Sequence, residues 1–177
     1  PYTTNAEGRG PAWANSLFED NAEFGLGFRL TVDQHRERVH RLLASLGDTI
    51  PATLREALGD ATLPVSEQRA HIQQLRKLLQ ESKAPEALEL ARDADYLVEK
   101  SVWLIGGDGW AYDIGFGGLD HVLSLGENIN VLVLDTQCYS NTGGQQSKAT
   151  PLGAITKFGE QGKRKARKDL GASVMMY

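Results

Sequence analysis

Two carboxylates, Asp108 and Asp135, stand just beyond two short apolar runs, with a glycine-rich stretch between them and a long polar segment after the second. Asp108 offers a carboxylate, Thr136 a hydroxyl, the main chain at Cys138 a carbonyl, and Asn141 an amide able to reach a reacting group. A magnesium ion takes about six oxygens in near-octahedral array, usually from one or two carboxylates, a carbonyl or hydroxyl, water and substrate phosphates. Backbone N–H groups of Gly107, Gly109 and Trp110, at a helix start, would face those phosphates. The pattern describes a place to hold a magnesium diphosphate. Gly-Asp-Gly is a short string, and strand-end aspartates also serve as plain helix caps, so caps and turns stay open as the simpler reading.

Those oxygens meet only if two strands deliver them side by side. Val102-Trp103-Leu104-Ile105 and Ile129 to Leu134 are short, apolar and bounded by Gly and Asp, which predicts strands buried on both faces of a parallel sheet. Between them a helical stretch closes at Gly126, and Ile114, Leu119, Val122 and Leu123 can share its apolar face. Strand, helix, strand predicts a parallel crossover, with both aspartates on the carboxyl edge where open α/β sheets bind ligands. Gly115, Gly117 and Gly118 near that helix start each cost about 0.8–1 kcal/mol against Ala, so backbone or ligand is expected to come close there. The loop from Thr136 to Pro151 is long enough to be functional or disordered, and its place after a buried strand favours function.

The strings GDGWAYDIGFGGLDHV, at 107–122, and DTQCYSNTGGQQSKATP, at 135–151, carry a family resemblance. They resemble the thiamine diphosphate-binding domain of pyruvate:ferredoxin (or flavodoxin) oxidoreductases. PYTTNAEGRGPAWANSLFEDNAEFG, at 1–25, is similar to the family's segment upstream, and the likeness runs on through KATPLGAITKFGEQGKRKARKDLGASVMMY to Tyr177. The resemblance implies an α/β fragment, a parallel-sheet thiamine diphosphate-binding fold forming one domain over 1–177, with a helical insertion at about 31–100. It implies that Asp108, Thr136 and the Cys138 carbonyl hold magnesium. Gly107, Asp108, Gly109 and Trp110, with Thr136, Gln137, Cys138, Tyr139, Ser140 and Asn141, would line the cofactor, and Asn141 would sit at the catalytic centre. It further implies oxidative decarboxylation of pyruvate, electrons leaving through [4Fe-4S] clusters to ferredoxin or flavodoxin, acetyl passing to coenzyme A, and a homodimeric parent.

The chain departs from that family in one respect. A cluster of this kind usually takes four thiolates, and the sequence holds one Cys in 177 residues, so this chain does not ligate it. The opening has no Met and begins inside the family-like segment. The chain is therefore expected to be an internal piece of a longer polypeptide, its cluster cysteines before Pro1 and beyond Tyr177 and the domain gripping the aminopyrimidine ring elsewhere. Alone, it is expected neither to decarboxylate pyruvate nor to bind thiamine diphosphate tightly, with the loop between Gln137 and Pro151 disordered until the cofactor arrives.

Composition fits a globular domain: 41% hydrophobic, 24% charged. A net charge of −4 gives no general attraction to nucleic acid or to anionic membrane, and no apolar run nears the roughly 20 residues needed to cross a bilayer. A single Cys excludes a disulfide framework and suits a reducing, cytoplasmic setting. In the middle, Thr31-Val-Asp-Gln34 resembles a capping box opening a helix with Val32, Val39, Leu42, Leu43 and Leu46 at helical spacing. A second helix is predicted from near Ser66, with Ile72, Leu75, Leu78 and Leu79 on one face, and a third from Pro85 toward Lys100, with linkers at 47–51 and 59–64. These helices are read as scaffold.

Other residues invite sharper readings. His35, His40 and His71 lie on polar helical stretches without an accompanying ligand pattern, which favours solvated or capping roles over metal binding, and His121 is placed on a helix surface or against the sheet. Lys163-Arg164-Lys165, Arg167 and Lys168 read as a solvated helix start, or else as a surface for an anionic partner such as coenzyme A or an acidic electron carrier. The opening, with Tyr2, Trp13, Phe18 and Phe24 among Asn5, Glu7, Arg9 and Asn15, reads as a shaped loop that is either a contact surface or a disordered end. Two function classes stand beside the enzyme reading: a non-catalytic assembly or scaffold module, and the same domain of an oxidoreductase for another 2-oxo acid.

Overall fold

The computed structural model describes residues 4–16 and 18–177; Tyr2, one of the aromatic residues of the opening, lies outside them. The chain divides into two compact units, one of residues 1–26 and 103–177 and the other of residues 27–102.

The second unit is helical. Helix α1, Asn21–Ser45, enters it at Gly27 and is followed by α2 (Ala52–Gly59), α3 (Val65–Leu79) and α4 (Pro85–Asp93), with 3-10 turns at Gly47–Thr49 and Ala94–Leu97. Val39, Leu43, Leu54, Leu58, Ile72 and Leu75 are buried in its core, and each such side chain contributes about 1.5–3 kcal/mol by leaving water. Gln68 pins the unit internally: its Oε1 accepts the Glu99 N–H at 2.9 Å and its Nε2 donates to Leu63 O at 2.7 Å. Pro85 falls in the first turn of α4, where its missing N–H costs nothing.

Three expectations for this unit need correction. Thr31 opens no helix; α1 is already ten residues along, and the Thr31 hydroxyl donates back to Gly27 O at 2.7 Å, satisfying itself inside the helix. Residues 52–58, unassigned between the two linkers, form α2, whose Leu54 and Leu58 are buried four apart. Leu78 stands 49% exposed while Ile72, Leu75 and Leu79 are buried, because α3 covers only a narrow stripe. His35 stacks on Tyr96 with ring centroids 4.3 Å apart, and burial, with Arg36 beside it, lowers the His40 pKa.

The first unit carries the sheet. Strands β1 (Trp103–Gly106) and β2 (Asn130–Val133) are parallel, with Leu104 beside Val131 and Gly106 beside Val133, as the crossover reading predicts. The helical connection is two short pieces, α5 (Asp108–Tyr112) and α6 (Phe116–Ser124), and a terminal helix α7 spans Leu170–Val174, its Ala172 N–H bonded to Asp169 Oδ1 at 2.9 Å. Gly126, at φ +67°, ends α6 in the left-handed conformation that Gly adopts without strain. Leu119 and Val122 of α6 are buried, but Ile114 is 81% exposed, since the chain breaks between α5 and α6 and turns that residue outward.

The strands are not buried on both faces. Leu104 is buried, whereas Trp103, Leu132 and Leu134, which strand alternation puts on the opposite face, are 57%, 43% and 52% exposed. The start of α1 lies against the buried face, where the space over Gly25 is filled by the Leu104 side chain.

Candidate functional site

Parallel register carries both strands to the same edge, and the Leu134 N–H extends the ladder by donating to Gly106 O at 2.8 Å. One strand then turns at Gly107 into α5, whose first residue is Asp108, and the other runs into Asp135 and Thr136. Asp108 is 3% exposed. Its Oδ1 accepts the Thr136 N–H at 3.1 Å and its Oδ2 accepts the Ser147 hydroxyl at 2.7 Å, so both carboxylate oxygens are aimed.

Thr136 Oγ1 lies 2.9 Å from Cys138 O, to which it donates, and 3.3 Å from Ser140 Oγ. Adjacent corners of an octahedron about an ion at about 2.0–2.1 Å are themselves about 2.9 Å apart, so this hydroxyl and carbonyl have the spacing of two magnesium ligands. A hydroxyl proton rotates freely, which lets Oγ1 turn a lone pair to a cation. All the donors are hard oxygens, and among the described residues no group of three His, Cys, Asp or Glu side chains makes a softer metal site.

Between these oxygens Gln137 adopts φ +63°, an uncommon state for a residue with a side chain. It is held from both sides: its N–H donates to Asp135 Oδ1 at 3.2 Å, and its carbonyl accepts the Thr150 hydroxyl. Asp135 is no ligand here. Its Oδ2 accepts the Tyr112 hydroxyl at 2.8 Å and pairs with Arg167, and burial, then the bond to Asp135, raises the Tyr112 pKa.

Gly107 caps α5, and Gly109 and Trp110 are buried within it. The space over Gly109 is taken by Glu19 and Tyr139: a Cβ there would meet Glu19 Oε1 at 2.6 Å and the Tyr139 ring at 3.0 Å. Desolvation, then a hydrogen bond to Asp113, pushes the Tyr139 hydroxyl up to about 12. Asp113 also accepts the Lys148 N–H at 3.0 Å and pairs with its ammonium at 3.1 Å. Ser140 and Asn141 are exposed at the tip of the loop, which Tyr139 and Gln145 close by an antiparallel bridge. Cys138 is half-buried and free, and a groove of about 430 Å³ beside it and Gln137 is lined by Gly143, Gly144, Thr150 and Lys157.

The close approach expected at the α6 glycines is made by the protein. A Cβ on Gly115 would meet Glu19 O at 2.4 Å and Trp110 Cα at 2.8 Å, and one on Gly118 would meet the Glu23 carboxylate, whereas Gly117 faces open space. The basic run is not a helix start. Lys163 is buried and Lys168 lies over the Phe116 ring, whereas Arg164, Lys165 and Arg167 are exposed, Arg167 pairing with Asp135. Sequence reasoning missed Ser147 and Thr150 and read Lys163 as part of a solvated or partner-facing basic run, whereas all three are buried and polar; the one signal was their position in and after the polar loop.

The chain resembles known proteins across its length. Residues 84–176 match the family described as "Thiamine pyrophosphate enzyme, C-terminal TPP binding domain". Over its whole length the chain is 75% identical to a probable pyruvate-flavodoxin oxidoreductase of Escherichia coli K12 and 45% identical to a pyruvate:ferredoxin oxidoreductase of Moorella thermoacetica. Across 99% of it there is 54% identity to a pyruvate-flavodoxin oxidoreductase of Rhodospirillum rubrum. The chain spans 15% to 16% of the length of these relatives. With more than half its residues under that match, the chain belongs to the thiamine pyrophosphate enzymes, as their C-terminal TPP-binding domain.

Proposed function

We propose that this chain holds the diphosphate end of thiamine diphosphate through magnesium, within a longer enzyme that oxidatively decarboxylates pyruvate to acetyl-CoA. The observation that carries the reading is the meeting of a buried carboxylate, Asp108, with the Thr136 hydroxyl and the Cys138 carbonyl at one sheet edge. Three protein oxygens leave the remaining octahedral positions to phosphate and water.

Thiamine diphosphate, when bound, supplies the electron sink for decarboxylation. The residues of this chain position and neutralise. Asp108, Thr136 Oγ1 and Cys138 O would hold the magnesium; Gly107, Gly109, Trp110, Gln137, Tyr139 and Ser140 would line the cofactor, with Asn141 toward the substrate. Tyr139 keeps its proton throughout the neutral range and serves as a donor to Asp113. The single Cys leaves [4Fe-4S] ligation to the rest of the parent polypeptide.

The printed names of the relatives favour pyruvate as substrate and flavodoxin or ferredoxin as acceptor. Coenzyme A, a homodimeric parent and a cytoplasmic location complete the reading; no helix of the described residues is long and apolar enough to cross a membrane. The test is Asp108→Asn in the full-length polypeptide. Half-saturating magnesium for thiamine diphosphate binding is expected to rise more than about 100-fold, beyond the range that outer partners of a metal site command, with pyruvate turnover lost at ordinary magnesium. Unchanged magnesium dependence would leave the scaffold reading standing. Full activity on another 2-oxo acid, with none on pyruvate, would move the substrate.

A further inference from the structure

Lys163 is a buried cation whose ammonium bonds go to main-chain carbonyls of the turn after the loop. Its side chain is within a residue only 5% exposed, and its ammonium donates to three carbonyls of a single turn: Ser147 O at 3.1 Å, Lys148 O at 2.9 Å and Thr150 O at 2.6 Å. Those bonds use all three of its hydrogens. A desolvated charge is retained only where such bonds compensate it, and burial here pushes the ammonium pKa down. The backbone of Lys163 is fixed as well, since it accepts the Gly153 N–H at 2.8 Å and donates to Ala154 O at 3.0 Å. The ammonium is thus a rigid post inside the turn.

The turn in its grip faces the strand-end site at two points. Ser147 and Thr150 are buried at 3% and 1% exposure, and Thr150 Oγ1 accepts the Ser147 N–H at 3.0 Å. Outward, Ser147 Oγ donates to Asp108 Oδ2 at 2.7 Å, and Thr150 Oγ1 donates to Gln137 O, the residue between Thr136 and Cys138. One cation therefore stands behind the partners of both strand-end segments.

We propose that Lys163 is a positioning residue for the magnesium site, fixing the Ser147–Thr150 turn so that Ser147 aims the Asp108 carboxylate and Thr150 holds the backbone that presents Cys138 O. Outer partners of this kind lower the ordering cost of binding, and their loss typically weakens metal affinity about 10- to 100-fold. The inference rests on the magnesium reading of Asp108, and its test separates the two.

In the full-length polypeptide, half-saturating magnesium for thiamine diphosphate binding is measured for Ser147→Ala, Ser147→Thr, Lys163→Met and the Ser147→Ala/Lys163→Met double variant, alongside thermal midpoints and Asp108→Asn. Ser147→Ala and Lys163→Met are each expected to raise the magnesium requirement about 10-fold or more, with Ser147→Thr restoring it. The double variant should cost less than the product of the singles, because Lys163 acts in part through the same Ser147–Asp108 bond that Ser147→Ala removes. Lowered thermal midpoints with unchanged magnesium dependence, or independent effects in the double variant, would overturn the proposal. Where Lys163→Met does not fold, Lys163→Arg takes its place, since its planar fork cannot converge on three carbonyls, and the same two outcomes decide. If Asp108→Asn leaves the magnesium requirement unmoved, the site reading fails; if it alone moves the requirement, the positioning inference fails.

Discussion

Thr136 donates its backbone N–H to Asp108 Oδ1 at 3.1 Å, joining residues 28 apart in sequence at one edge of the sheet. The bond belongs to the main chain, so it survives any change of the Thr136 side chain. Thr136→Val should therefore leave the fold and Asp108 in place while deleting one oxygen from the site. The expected result is a rise of about 10-fold or more in the magnesium needed to saturate thiamine diphosphate binding, one neutral oxygen of about six being lost, with an unchanged unfolding midpoint. A collapsed midpoint would mean that the hydroxyl serves the fold.

The neighbouring glycines of α6 separate tight packing from open space. Gly115→Ala would drive a methyl into Glu19 O and Trp110 Cα, both backbone atoms, and should destabilise by about 1–3 kcal/mol. Gly117→Ala meets nothing and gains helix propensity, so it should stabilise by up to about 1 kcal/mol. Urea denaturation of the two variants reads the difference in sign.

His40 sets a pH dependence in the helical unit. Burial, with Arg36 beside it, holds its folded pKa below 6.5, so as pH falls through that value the unfolded chain takes up a proton before the folded one. Stability present above about pH 6.5 should be lost as pH drops toward the folded pKa, and His40→Gln should flatten that slope. A pH titration of the unfolding free energy measures it.

The loop after β2 has its own bonding. Tyr139 N–H donates to Gln145 O at 2.9 Å and Gly144 N–H to Tyr139 O at 2.6 Å, neither requiring a ligand. Where composition alone predicts disorder from Gln137 to Pro151, these bonds predict slow amide exchange at Tyr139 and Gly144 without cofactor, and fast exchange at the exposed tip, Asn141 and Thr142. Uniformly fast exchange across the loop would refute this.

What sequence could reveal followed distance along the chain. The two strands, their parallel pairing and the Gly126 stop were legible because apolar runs, Gly and Asp act locally, and these place Asp108, Thr136 and Cys138 together. The Ser147 to Asp108 bond spans 39 residues and the Lys163 contacts join a turn to a later loop, so no local period announces them. Helix α2 was hidden by its shortness, its eight residues lying between two Pro- and Gly-marked linkers. Asp135 looked equal to Asp108 in sequence; Arg167 and Tyr112, 32 and 23 residues away, decide that it anchors backbone instead.

The two-strand sheet has a practical consequence. Among the described residues each of β1 and β2 pairs with the other along one side only. On β1's outer side the Ile105 carbonyl accepts Asn21 Nδ2 at 2.7 Å, while the outer side of β2 has no strand beside it and stands as a template for a passing extended segment. Trp103, Leu132 and Leu134 add an oily flank to that template. Produced at high concentration without covering segments, the chain should self-associate edge to edge, and co-expression with further strands of its parent should keep it dispersed.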